Sequence, residues 1–513
     1  MIGISRNFKL SYLAVSIFLF LQGGSLFAKT FIIPEPALQK AVANSLGVSE
    51  RDLTEAMVKE KLVRLEANNL QIRDLSGLDR AINLEYLVLR NNLIEDLKPI
   101  QRLSKLRKLD LHGNRLSDLS TLVPLSGFDL QNQATNLQTS LNDSTLDENN
   151  RAQRLLELSE VLELLKGGGW ALRELNLSNN RLLGLSGIEH FRYLAHLDVS
   201  QNSLIDLQGI SKLSNLVNFF AHGNELGRLE EYVDRNRNKK FDLGEPFTDE
   251  SGNGKRDTDP LVEIQGLLNL VDLHLYDNRI RNIDSIRDLP SLNTLLLSGN
   301  DIVQINSLKE FFSLGQLSLA NNQVHSLEGL QSLERLKRLN LAENQICDLR
   351  PLRTLSSLHS LDLHSNLVID LQDLSKLASI RSLGLSYNLI YDPSPILSLP
   401  SISNISLSNN RIPLDQRQIK EDLNLARNRG VYINVRNQKG RLIAAEDLIR
   451  SLIGYPHANQ TLAVYLRENG YPSLNAYLND ARIKEESKKK SLNVWNETLK
   501  SKSRLTGLPF LGN

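Results

Sequence analysis

The chain has one cysteine, Cys347, in 513 residues, which excludes an internal disulfide framework and any cysteine-rich zinc module. Charge of one sign is also missing. Sixty basic residues stand against 59 acidic ones, a net charge of +1, so binding to nucleic acid driven by bulk electrostatics is excluded. Aromatic residues make up only 5%, too few for a core built on large rings. Long hydrophobic runs are scarce as well. The one substantial run, Leu10 to Leu21, is shorter than the roughly 20 residues of a bilayer span. Arg6 and Lys9 precede it, and Gly23, Gly24 and Ala28 follow. That order of positive start, short apolar stretch and small residues predicts a secretory signal over 1–28, with a mature chain from Lys29. The expectation is a secreted protein with no transmembrane segment.

Leucine is what the chain has in excess, 103 residues in 513, and the leucines are periodic. LEYLVLRNN (84–92), LRKLDLHGN (106–114) and LRELNLSNN (172–180) share the pattern L-x-x-L-x-L-x-x-N. The asparagine recurs at 92 and 114, at 180, 202 and 224, and at 278, 300, 322, 344, 366, 388 and 410. Within each block the step is 22. A first copy, with Leu70 in the asparagine's place, brings the total to 13 repeats. Alternating apolar residues make a short strand whose leucines point inward and whose intervening residues face out. The asparagine amide is suited to bond backbone groups of neighbouring turns that a buried turn leaves unpaired. One coil cannot bury its leucines alone, so coils must stack. The prediction is an α/β repeat fold, a leucine-rich repeat solenoid with a curved parallel sheet on its concave face and short helical or 3-10 turns on its convex face.

The 22-residue step, with tails such as IEDLKPIQRLSK and IDLQGISKLSN, resembles the repeats of bacterial internalins and related secreted proteins. The segment 31–78, from FIIPEPALQKAVANSLGV to LTEAMVKEKLVRLEANNLQIRDLSGL, is similar to the helical cap that precedes such repeats. Leu38, Val42 and Leu46 have the i, i+4, i+8 spacing a cap helix requires. The resemblance covers roughly 31–125 and 170–412. It implies a capped solenoid and leaves the function to the surface residues. The chain departs from that family in carrying no LPxTG-type wall-sorting motif.

The expected organisation is a signal at 1–28, a helical cap at 29–61, and repeats at 62–125, 171–233 and 261–412. Insertions fall at 126–170 and 234–260, and 413–513 forms a C-terminal cap and helical tail. In the first insertion, 126–150 is polar and predicts a loop. RAQRLLELSEVLELLK (151–166) predicts a helix packed on the solenoid edge through Leu155, Leu158, Leu162 and Leu165. After the repeats, VYINV (431–435) is a candidate closing strand, and helical patterns follow at 444–453, 459–468 and 473–482.

The second insertion carries candidate metal chemistry. DRNRNKKFDLGE (234–245) has the oxygen-ligand order of an EF-hand loop. Asp234, Asn236 and Asn238 take positions 1, 3 and 5, the Lys240 carbonyl position 7, and Asp242 and Glu245 positions 9 and 12. A second run offers Asp249, Ser251, Asn253 and Asp257, with Pro260 where a bidentate Glu is usual. The segment resembles dockerin-like calcium loops, and Ca2+ is the expected cofactor, ordering a loop that has no core of its own. A solvated polar loop without metal is the competing reading.

Outward strand positions become rich in rings near this insertion, at Phe220, His222, His274 and Tyr276, followed by Leu296. These five are the expected contacts for a protein or glycan partner, because exposed aromatic residues anchor interfaces. Asp198, His222 and His274 on successive strands also form a candidate zinc or acid–base group. No nucleophile signature accompanies them, and Cys347 sits in a repeat turn without catalytic context. The leading expectation is a secreted, non-enzymatic binding protein. The alternative is an extracellular enzyme with catalytic groups in the C-terminal region or the His/Asp cluster. Nothing in the sequence names the oligomeric state.

Overall fold

A computed structural model describes residues 31–122, 128–142, 147–166, 172–228, 259–438 and the single positions 233, 246 and 248. Fourteen three-residue strands form one parallel sheet in strict sequence order, with its first and last strands unpaired to each other. They are β1 (Arg64–Glu66), β2 (Tyr86–Val88), β3 (Lys108–Asp110), β4 (Glu174–Asn176), β5 (His196–Asp198), β6 (Asn218–Phe220) and β7 (Asp272–His274). The sheet continues through β8 (Thr294–Leu296), β9 (Gln316–Ser318), β10 (Arg338–Asn340), β11 (Ser360–Asp362), β12 (Ser382–Gly384), β13 (Asn404–Ser406) and β14 (Tyr432–Asn434). Thirteen strands belong to the counted repeats, and β14 falls on the candidate closing strand.

Each strand buries its middle residue, and most leave both flanking residues part-exposed, which is the alternation that period-2 geometry requires. Short 3-10 turns such as Leu78–Arg80, Ile188–His190 and Leu330–Ser332 return the chain from one strand to the next. A single continuous hydrophobic cluster runs from Ile33 to Ile433 inside the coils.

The asparagines bind the coils together. Asn300 Nδ2 donates to the carbonyl of Leu297 in its own coil and to that of Leu275 in the preceding one, both at 3.0 Å. Its Oδ1 accepts from the Ile280 N–H at 2.9 Å. The same triple connection recurs at Asn92, Asn322, Asn344, Asn366, Asn388 and Asn410. The residue before each asparagine has a positive φ, for example 68° at Gly113 and 65° at Gly223. That explains why glycine and asparagine are frequent there.

At the end of the array Gln438 replaces the asparagine. Its Oε1 accepts from the Ile412 N–H at 3.1 Å and its Nε2 donates to the Leu407 carbonyl at 2.9 Å. The step from Asn410 is 28 residues, because the helix Arg417–Asn428 lies between. That helix buries Ile419, Leu423 and Ala426 over the last coil. At the opposite end, the helix Pro36–Leu46 buries Leu38, Val42 and Ala43. It ends at Gly47 (φ 70°), where the Val48 N–H returns to the Ala43 carbonyl.

The first insertion corrects one expectation. Residues 128–141, within the stretch predicted as a loop, form a helix that pairs with the helix Glu148–Lys166. Ala134 packs with Leu158 and Val161, and Leu137 and Leu141 join them. This small core is separate from the solenoid's, and Leu155 is 52% exposed instead of covering the solenoid edge. The polar sequence hid the helix because Ala134, Leu137 and Leu141 pack on one partner helix within a stretch dominated by Asn, Gln, Ser and Thr.

A stacked ring patch on the open face of the sheet

The register of the sheet is unbroken across both insertions. β3 pairs with β4 and β6 with β7, strand against strand. Phe220 therefore stands opposite His274, and His274 opposite Leu296. Side chains at equivalent positions of neighbouring parallel strands lie one strand spacing apart, about 4.8 Å, which is a stacking distance for planar rings. The Phe220 and His274 rings stack with centroids 4.4 Å apart and planes 24° apart. His222 and Tyr276, two residues further along the same strands, stack at 4.1 Å and 15°. His274 and Tyr276 complete the group at 6.3 Å, tilted by 45°. All four rings and Leu296 are half-buried.

Stacking changes the electrostatics of the imidazoles. Burial holds both His222 and His274 below the usual histidine range, although Asp198 and Asp277 pull His222 upward and Asp272 and Asp198 pull His274 upward. His222 lowers its neighbour further by like-charge repulsion. The Nδ1 of His222 is buried without a hydrogen-bond partner. Burial, with Asp277 and Asp198, pushes the Tyr276 hydroxyl above its usual value. The patch is thus a neutral, half-buried floor bordered by carboxylates.

Beside it, across β3 to β6, lies a shallow depression of about 160 Å³ lined by Arg90, Lys108, Asp110, Glu174, Asp198 and Phe220, among others. Arg90 meets the buried carboxylate of Asp110 at 2.6 Å, and Lys108 meets Glu174 at 2.6 Å. Asp198 Oδ1 accepts from the N–H and hydroxyl of Ser200 at 3.0 and 2.6 Å.

The five residues expected to contact a partner therefore share one continuous surface. The Asp198, His222 and His274 group is also brought to that surface, with each imidazole stacked on an aromatic ring. Among the described residues, no set of three or more His, Cys, Asp or Glu side chains is placed to hold a metal ion. The proposed calcium ligands Asp234, Asn236, Asn238, Lys240, Asp242, Glu245, Asp249, Ser251, Asn253 and Asp257 lie outside the described residues. So do the segment 1–28 and the helical patterns after 438. The depression was not singled out from the sequence. Its signal was there in the opposite charges that Lys108 and Glu174 place at one repeat position.

A model of leucine-rich repeats in two copies matches residues 82–142 and 313–354. Among solved structures, the internalin inlF of Listeria monocytogenes is similar, with 25% identity and a TM-score of 0.53. That match covers 74% of this chain and 96% of the internalin. A leucine-rich repeat protein of Leptospira interrogans is similar in fold at 22% identity and a TM-score of 0.51, covering 72% of this chain and 83% of its own. No curated protein matches the sequence.

The fold is a leucine-rich repeat solenoid. Its open parallel sheet and short 3-10 turns agree with the similarity to the internalin. Among the described residues of this solenoid, no helix is long and apolar enough to cross a membrane.

Proposed function

We propose that this leucine-rich repeat protein is a non-enzymatic binding module that holds a protein partner on its concave sheet, over β6 to β8. The observation that carries the reading is the pair of ring stacks, Phe220 on His274 and His222 on Tyr276. Rigid, half-buried rings with few rotamers to lose are the kind of surface from which interface hot spots are made. Stacking covers one face of each ring, so the patch offers edges and single outer faces more than the paired broad faces on which sugar rings pack. A protein segment fits that surface better than a glycan.

The sequence supports two further parts of this reading. Export is proposed from Arg6, Lys9 and the run Leu10 to Leu21. Calcium is proposed for 234–259, as a structural ion bound by the oxygen-ligand series from Asp234 to Asp257. N-terminal sequencing of the secreted chain checks the first. Calorimetric titration of the chelator-treated protein with calcium checks the second, and absence of a binding isotherm at millimolar calcium would remove it.

The central reading is tested by screening the mature chain against panels of cell-surface proteins and glycans, alongside a Tyr276→Ala/Leu296→Ala variant. Retention of a protein partner by the native chain and its loss by the variant is the expected result. A partner held equally by both chains would move the site off this face.

A further inference from the structure

We infer that the depression beside Phe220 is an arginine pocket, receiving a guanidinium group from a basic segment of the partner. The inference rests on the protein-binding reading above and deepens it. One face of Phe220 is covered by His274 on β7. The opposite face therefore looks toward β5, where Asp198 stands directly across from Phe220 in the ladder. Both residues line the depression. A π-face with a carboxylate beside it attracts a cation through the ring quadrupole and the carboxylate together.

The charges already present in the depression leave this position vacant. Its lining holds two cations, Arg90 and Lys108, against three carboxylates, Asp110, Glu174 and Asp198. Arg90 is committed to Asp110 and Lys108 to Glu174. Asp198 is the remaining charge. Its Oδ1 is occupied by Ser200, and among the described residues its Oδ2 accepts no hydrogen bond. Asp272, in the coil beyond, accepts from the neutral amide of Asn218 and adds a further carboxylate near the site. A volume of about 160 Å³ corresponds to about five water molecules at liquid density, enough for a planar guanidinium. Arginine fits better than lysine because its plane stacks on a ring while its edge meets a carboxylate.

The test uses the full chain with its nine histidines labelled for NMR, so that the imidazole C–H signals report on the site. N-acetyl-arginine amide is titrated in, with N-acetyl-citrulline amide as the uncharged isostere. The expected result is a saturable shift of the His274 signal with the arginine probe and none with citrulline. Asp198→Asn keeps an oxygen for Ser200 and should weaken the response at least tenfold, with thermal stability unchanged. Phe220→Leu should weaken it comparably. Equal shifts with citrulline, an undiminished response in Asp198→Asn, or no shift at all would each overturn the pocket. If the arginine probe fails while the Tyr276→Ala/Leu296→Ala variant still loses a protein partner, this inference falls and the binding face stands. A response to arginine without any partner on the panels removes the binding-module reading and, with it, the partner as the source of the guanidinium, leaving only a site for a small guanidinium ligand.

Discussion

Two stretches of the same solenoid, β6 to β8 and β12 to β13, are built on one plan and end in different surfaces. Both bury their inward leucine, isoleucine or phenylalanine completely or nearly so, and both are joined by the same asparagine connections. On the open face, the first carries stacked rings. The second carries hydroxyls, with Ser386 Oγ 2.7 Å from Ser406 Oγ and 2.9 Å from Ser408 Oγ. Inward positions are fixed by the need of each coil to fill its neighbour. Outward positions answer to little except what lies above them. Stability and recognition are therefore written on alternate residues of one strand.

The sharpest way to break that comparison is at two adjacent phenylalanines. Phe219 is fully buried and Phe220 half-buried on the opposite side. Phe219→Ala should cost about 3–5 kcal/mol, measured by denaturant unfolding. Phe220→Ala should cost less than about 1 kcal/mol while lowering partner affinity, measured by calorimetry. Similar stability losses for both would show that the open face is part of the core.

The next largest effect should come from the asparagine connections. Asn300→Ala leaves the buried Ile280 N–H without its partner, at about 1–3 kcal/mol, while the Leu275 and Leu297 carbonyls keep the amides of Asn278 and Asn322. Hydrogen exchange should rise first in the Leu275 to Ile302 coils, whereas Ser386→Ala should leave exchange almost unchanged. Uniform exchange across the array would contradict a solenoid held coil by coil.

A smaller effect separates the stretches by pH. Burial holds His222 and His274 below their unfolded value of about 6.5, so the unfolded chain takes up protons first as pH falls. Stability is then higher above that value and is lost as pH drops through it, until the folded state also protonates. A His222→Phe/His274→Phe variant should show a flatter pH dependence of its unfolding midpoint between pH 7 and 5. An unchanged slope would assign it to other groups. Smallest of all is the half-exposed pair of Lys108 and Glu174. Its double-mutant coupling should be about 0–1 kcal/mol, and a larger value would make the depression's rim a structural element.

Most of the fold was legible because a 22-residue step constrains strand, turn and core at once. Leu38 and Val42 read correctly as a cap for the same reason, a period tied to burial. The helix at 128–141 was missed because polar residues dominate its composition and the small core of Ala134, Leu137 and Leu141 faces one other helix. The capping helix Arg417–Asn428 had the signal, with Ile419, Leu423 and Ala426 on one face, but only three apolar anchors in a charged stretch. Gln438 was invisible because its role depends on a 28-residue spacing that no other coil uses. At the site, the rings could be selected from strand positions alone. Their stacking depends on β6 meeting β7 across one insertion, and the depression on β3 meeting β4 across the other, which sequence separation conceals.

That meeting has a consequence for how the chain can change. Across the first insertion the Leu116 N–H reaches Asn180 Oδ1 at 3.0 Å, and across the second the Leu226 N–H reaches Asn278 Oδ1 at 3.1 Å. These are the distances found between coils joined without interruption. The entropy of closing a loop grows only slowly with its length, so the solenoid hardly distinguishes a tight turn from a long excursion at these points. The two junctions act as sockets, where a helical pair or a polar insertion can be exchanged for another module while every strand above and below keeps its place.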